Sequence, residues 1–294
     1  MSGRFAHFAA IDWSGAAGER HKGIAVAICD AGSDAPRLVR PGHVWSRQDI
    51  LEWMLSEMPA DTLVGLDLGM SLPFADCGAF FPGWVESPPD AKALWALVDE
   101  ICRADPNLAA SSFVDHFEAS RYFRRHGGRE GAQFHHRDAP HRRGRFRVTE
   151  RAQERLGCKP YSNFNLVGAA QVGKSSLTGM RLLRALAGGV PVWPVDPLPD
   201  KGSVMVEIYS AIAAIAAGRR AGTSKIRTRP ELDAALSALG SALWRQRAPL
   251  DDNKADALLV SAWLRANSDR HELWHPVELT PDIARTEGWT FGAA

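Results

Sequence analysis

Two short apolar runs in this chain each end on an aspartate: Phe8 to Asp12 (FAAID) and Thr62 to Asp67 (TLVGLD). Runs this apolar read as strands buried on both faces, which occur where helices cover a mainly parallel sheet. The sequence around them sets the order of elements. Gly23 to Cys29 (GIAVAIC) is a second strand, joined to the first by the turn-rich stretch Gly15 to Gly23 as a hairpin. Leu38 to Trp45 offers a third strand, and Arg47 to Met58 has helical spacing with Ser46 as its N-cap. A helix over Asp90 to Arg103 follows a Pro-, Phe- and Gly-rich loop from Ser71 to Pro89. The last third alternates a helix over Ser176 to Ala187, strands at Val190 to Val195 and Val204 to Tyr209, and helices over Glu231 to Arg247 and Asp252 to Arg265. Strands alternating with helices predict an α/β sheet flanked by helices. The 294 residues suit one such domain, with residues about 70–160 inserted as a cap.

The acidic residues fall at the positions that matter in such a fold. Asp12 and Asp67 close strands, Glu207 sits near the end of another, and Asp252 and Asp256 open the last long helix. Polar groups at the carboxyl ends of strands converge on the crevice where α/β proteins bind ligands. Carboxylates gathered there repel one another and are stable mainly around a divalent cation, Mg²⁺ or Mn²⁺. Such centres hydrolyse or transfer phosphoryl groups. Asp12, Asp67, Glu207 and Asp256 are therefore candidate catalytic residues, and Asp12, Asp67, Asp252 and Asp256 candidate metal ligands. No organic cofactor is expected. A turn or helix-cap role is the plainer alternative for each aspartate taken singly.

Charge is unevenly spread. The formal net charge is +1, yet residues 121–159 hold twelve Lys and Arg against four Asp and Glu. Arg137, Arg142, Arg143, Arg145 and Arg147 in this stretch are candidate phosphate contacts for a nucleic acid, with Tyr122, Phe134 and Phe146 as candidate stacking partners. A solvated basic loop is the competing reading. Four cysteines far apart, without a C-x-x-C pair, read as reduced thiols of a cytoplasmic protein. No run of 18 apolar residues is present, so no membrane partner is expected.

Gly168 to Ser175 (GAAQVGKS) spells the phosphate-binding loop G-x-x-x-x-G-K-[ST], which makes Gly173, Lys174 and Ser175 candidate phosphate contacts and an ATP- or GTP-dependent phosphotransferase or ATPase an alternative. An actin-like use of the Gly15–Gly23 hairpin is a variant of that alternative. A nucleic-acid-binding protein without catalysis is another.

The order strand-Asp, hairpin, third strand, helix, strand-Asp, and a late helix bearing Asp resembles the ribonuclease H-like fold. More narrowly, AAIDWSG (Ala9–Gly15), VGLDLGMSLP (Val64–Pro73), VMVEIYS (Val204–Ser210), DDNKADALLVSAWL (Asp251–Leu264) and EGWTFG (Glu287–Gly292) are similar to a prokaryotic family of predicted ribonuclease H-fold nucleases. The resemblance implies a metal-dependent nuclease site at Asp12, Asp67 and Asp256, with Glu207 and Asp252 as further candidates.

Overall fold

The computed structural model describes residues 3–135, 144–167, 171–220 and 225–294. Its centre is a mixed six-stranded sheet of β1 (His7–Asp12), β2 (Ala25–Asp30), β3 (Arg37–Leu38), β4 (Thr62–Asp67), β7 (Val192–Trp193) and β8 (Val204–Glu207), in the order β3-β2-β1-β4-β8-β7. β1, β4, β8 and β7 run parallel, β2 returns antiparallel to β1, and β3 pairs antiparallel with β2. A separate two-stranded ribbon joins β5 (Arg124–Arg125) to β6 (Arg129–Glu130).

Strand parity assigns each side chain to a face, because successive residues of a strand point to opposite sides. Ala9, Ile11, Val64, Leu66 and Met205 face one apolar core. There they meet α1 (Arg47–Glu52), α2 (Ala91–Ile101) and α5 (Val172–Leu186). Phe113 of α3 (Ser111–Asp115) belongs to the same core. Phe8, Ala10, Leu63, Val204 and Val206 face a second core. It is built with α6 (Ser210–Ala216), α7 (Arg229–Ala238), α8 (Asp252–Asn267), α9 (His271–Trp274) and α10 (Pro281–Thr286). Residues 70–160, which also form α4 (Val148–Arg155), thus pack largely onto the first face of the sheet.

Several expected elements shift. Ser46 caps α1 as predicted, with Asp49 completing a capping box, but the α-helix ends at Glu52 and a π-turn carries the chain to Glu57. The third strand is only Arg37–Leu38, and α5 begins at Val172, four residues before its expected start. The helix expected to reach Arg247 stops at Ala238, where Gly240 takes a left-handed φ of 71°. Trp53, Trp95, Trp244 and Trp263 are buried as expected. All four cysteines are free thiols. Among the described residues no helix is long and apolar enough to cross a membrane.

Candidate active site

Asp12 and Asp67 are paired residues at the ends of neighbouring parallel strands. Their backbones are therefore about 4.8 Å apart. Parity turns both side chains toward α8, because Asp12 follows Phe8 and Ala10, and Asp67 follows Leu63. Asp256 lies one turn into that helix, 5% exposed, near enough to act on both Asp12 and Asp67 where β1, β4 and α8 converge. Burial and then the neighbouring Asp67 and Asp256 push the Asp12 carboxyl well above the usual carboxylate range. Burial, followed by Asp256, raises Asp67 to about 7. Burial raises Asp256 as well, against the opposing pull of Lys225.

Two neighbours of this cluster carry no spacing signal in the sequence. Lys225 Nζ lies 2.7 Å from Asp256 Oδ2, and burial, which acts to lower its pKa, is outweighed by Asp256. Ser210, the first residue of α6, hydrogen-bonds both Asp67 and Asp256. Its place directly after the VMVEIY strand was the one available clue.

Glu207 belongs elsewhere. It is registered with Leu66, not Asp67, and shares the parity of Met205, so its side chain points to the opposite face of the sheet. There its carboxylate accepts from Arg147 (2.9 and 2.6 Å), the Met70 amide (2.7 Å) and Thr290 Oγ1 (2.5 Å). A carboxylate with four donors already satisfied is a fastening, not a free ligand. Asp252 is also apart from the three: it sits in the first turn of α8, 3.6 Å from Arg227, while Asp251 is the N-cap.

Asp12 and Asp67 open on a cavity of about 500 Å³ whose wall includes Trp13, Tyr161, Tyr209 and Lys225. Gln171, Val172 and Ser175 of the first turn of α5 line it too. Gly15 makes that junction possible. A Cβ on Gly15 would fall 2.4 Å from the backbone of Lys174 and Ser175. Gly15→Ala should therefore push the turn after Asp12 away from α5, costing about 1–3 kcal/mol as an overpacked contact. Thermal unfolding checks the cost, and an unchanged melting temperature would show that the turn yields freely.

The phosphate-loop spelling reads differently in three dimensions. Gly173 donates its amide to Asn165 O (3.0 Å), and a Cβ there would strike Asn163 O at 2.4 Å, so this glycine serves close packing. Lys174 Nζ lies 3.4 Å from His126 Nε2 on the β5–β6 ribbon. Residues 168–170 lie outside the described residues.

The basic stretch is corrected in part. Arg145 is fully buried against Asp76 (2.6 Å), and Arg147 is 1% exposed between Glu150 and Glu207, so neither side chain is open to a polynucleotide. Tyr122, Phe134 and Phe146 are buried as well and have no face for a base. Arg137, Arg142 and Arg143 lie outside the described residues. Arg124 and Arg125 on the ribbon pair with Glu130 and Asp115, each at 3.4 Å.

Asp12 and Asp67 offer carboxylate oxygens to the cavity, a donor type that suits a hard divalent cation such as Mg²⁺ or Mn²⁺. Among the described residues no three His, Cys, Asp or Glu side chains are already gathered as a ligand set. The cationic group found in the cluster is the Lys225 ammonium. No family model, curated protein or solved structure matches the chain.

Proposed function

We propose that this protein is a metal-dependent nuclease of ribonuclease H-like fold, hydrolysing phosphodiester bonds in a nucleic acid or nucleotide. The observation that carries this reading is the pairing of Asp12 with Asp67 at the ends of adjacent parallel strands, with Asp256 reaching them from α8. The sheet order supports it, with an antiparallel hairpin on one side of β1 and parallel strands on the other. Asp12 and Asp67 would hold the cation. When bound, Mg²⁺ or Mn²⁺ supplies an activated water and neutralises charge developing on the phosphate. Ser210 fixes the orientation of Asp67 and Asp256, and Lys225 pairs directly with Asp256, opposing the upward push of burial on its carboxyl. Tyr161 and Tyr209 supply flat walls against which a base or sugar can lie.

The test is a substrate panel of single- and double-stranded DNA and RNA, dinucleotides and ATP, with Mg²⁺, Mn²⁺ or EDTA. Phosphodiester cleavage that needs the cation and disappears in Asp12→Asn is expected. Release of phosphate from ATP without cleavage of any polynucleotide would favour the phosphotransferase alternative, and no turnover of any substrate would remove both.

A further inference from the structure

The Lys225 ammonium inside the cluster bears on how many cations such a site can take. With the ligands deprotonated, as coordination requires, Asp12, Asp67 and Asp256 present three negative charges, and the Lys225 ammonium 2.7 Å from Asp256 returns one, leaving two. The other acidic groups of the α8 N-terminus do not add to that remainder, since Asp251 is paired with Lys254 at 2.7 Å and Asp252 faces Arg227 at 3.6 Å. Glu150 and Glu207 share Arg147, which offsets one of their two charges, and Glu207 turns to the opposite face of the sheet from the Asp12–Asp67 pair. One divalent cation balances two charges.

A two-ion centre needs more. Its ions lie ~3.5–4 Å apart and share carboxylates between them. In this site the carboxylate on the α8 side already has an ammonium 2.7 Å from one oxygen. That Nζ also stands near enough to Asp12 and Asp67 for both to act on it. A second dication placed there would share its ligand with a fixed positive charge and leave the cluster with an excess of positive charge. Lys225 is also within reach of solvent, its side chain 53% exposed, so it lies along the open side of the pocket and not in a sealed core.

We propose that the site takes a single divalent cation, seated between Asp12 and Asp67, and that the Lys225 ammonium holds the place beside Asp256 that a second cation would otherwise fill. This rests on the metal-dependent reading above, and it sets Lys225 as the residue that determines cation number. A displaced lysine is the rival arrangement, in which the ammonium leaves when the ions enter.

The test counts Mn²⁺ bound to the full chain by electron paramagnetic resonance of the free ion at pH 8. One site is expected in the wild type, two in Lys225→Met and one in Lys225→Arg, which keeps the charge. Two sites of similar affinity in the wild type would overturn the proposal, as would a Lys225→Met protein that stays at one site with its affinity unchanged. The second measurement uses only the wild type: the rate of reductive methylation of Lys225, read by mass spectrometry with and without saturating Mn²⁺. A rate unchanged within twofold supports a lysine that stays in place, whereas a tenfold rise shows it expelled and overturns the proposal. Absence of bound Mn²⁺ in all three proteins would instead strike the metal-dependent reading itself and this inference with it.

Discussion

Asp67→Asn is expected to make the protein more stable and, on the metal-dependent reading proposed above, to abolish cation uptake and hydrolysis. The carboxyl of Asp67 is raised from 3.8 to about 7 by burial and by Asp256. A group that binds its proton more tightly in the folded state destabilises the fold once pH exceeds its unfolded pKa, because the folded protein must give up that proton or resist losing it. Wild-type stability should therefore fall as pH rises from about 4 to about 7 and stay low above that window. The full shift corresponds to about 4 kcal/mol as a ceiling, and contact of the group with the open pocket reduces this to about 2 kcal/mol. Asparagine carries no such penalty. The variant should match the wild type near pH 4 and exceed it at pH 8, by roughly 5 °C in melting temperature for a domain of this size. Mg²⁺ should raise the wild-type melting temperature at pH 8 and leave the variant unmoved. On the same proposed reading, loss of this ligand removes several kcal/mol of transition-state stabilisation, so hydrolysis should fall by roughly a thousandfold. Melting curves at both pH values decide the matter: a variant less stable than wild type at pH 8 would show that Asp67 is held by favourable partners, not against its neighbours.

That pairing of strain and function was readable in the sequence to the extent that strands were. β1 and β4 announced themselves as apolar runs ending in aspartate, and the observed β4 spans the expected Thr62–Asp67. Asp12 and Asp67 then had to meet if the two strands were neighbours. Glu207 shows where such reasoning fails without parity. It closes β8 as they close β1 and β4, yet counting from Met205 turns it to the other face, where Arg147 waits. The alternation was present in the letters VMVE, but its meaning depended on which face of β8 met α8, a tertiary fact. Lys225 was harder still. It stands among other basic residues in a stretch with no periodicity, and only folding brings it to Asp256, thirty-one residues on. The basic segment misled for a related reason. Arginine at high density reads as surface, but Arg145 and Arg147 have planar, multidentate head groups that can be buried when enough acceptors surround them. Arg145 finds Asp76 and the carbonyls of Pro73, Ala79 and Phe80.

Arg147→Met should be the most damaging single change outside the carboxylate cluster. The guanidinium donates to both Glu150 and Glu207 and to the carbonyl of Glu287, so one side chain ties α4, the sheet and the C-terminal segment together. Glu287 extends the same junction, accepting the amides of Phe74 (2.6 Å), Ala75 (2.8 Å) and Val148 (2.7 Å). Replacing such an ion pair as a whole with apolar groups can be neutral, but deleting one partner strands the charge of the other in a poor solvent, at about 3–5 kcal/mol. Here two carboxylates would be stranded, and burial already raises Glu150 above its ordinary value while Arg147 is present. The variant should therefore be weakest at pH 7.5 and recover part of its loss toward pH 5, as the stranded carboxyls take up protons. Urea unfolding at the two pH values measures both effects. Glu150→Gln added to Arg147→Met should restore part of the loss at pH 7.5, because it removes one stranded charge, and the interaction energy from that cycle isolates the pair. A loss below about 1 kcal/mol, the same at both pH values, would mean that water reaches the junction when the arginine is gone and that the sheet and the segment over it are joined by packing alone.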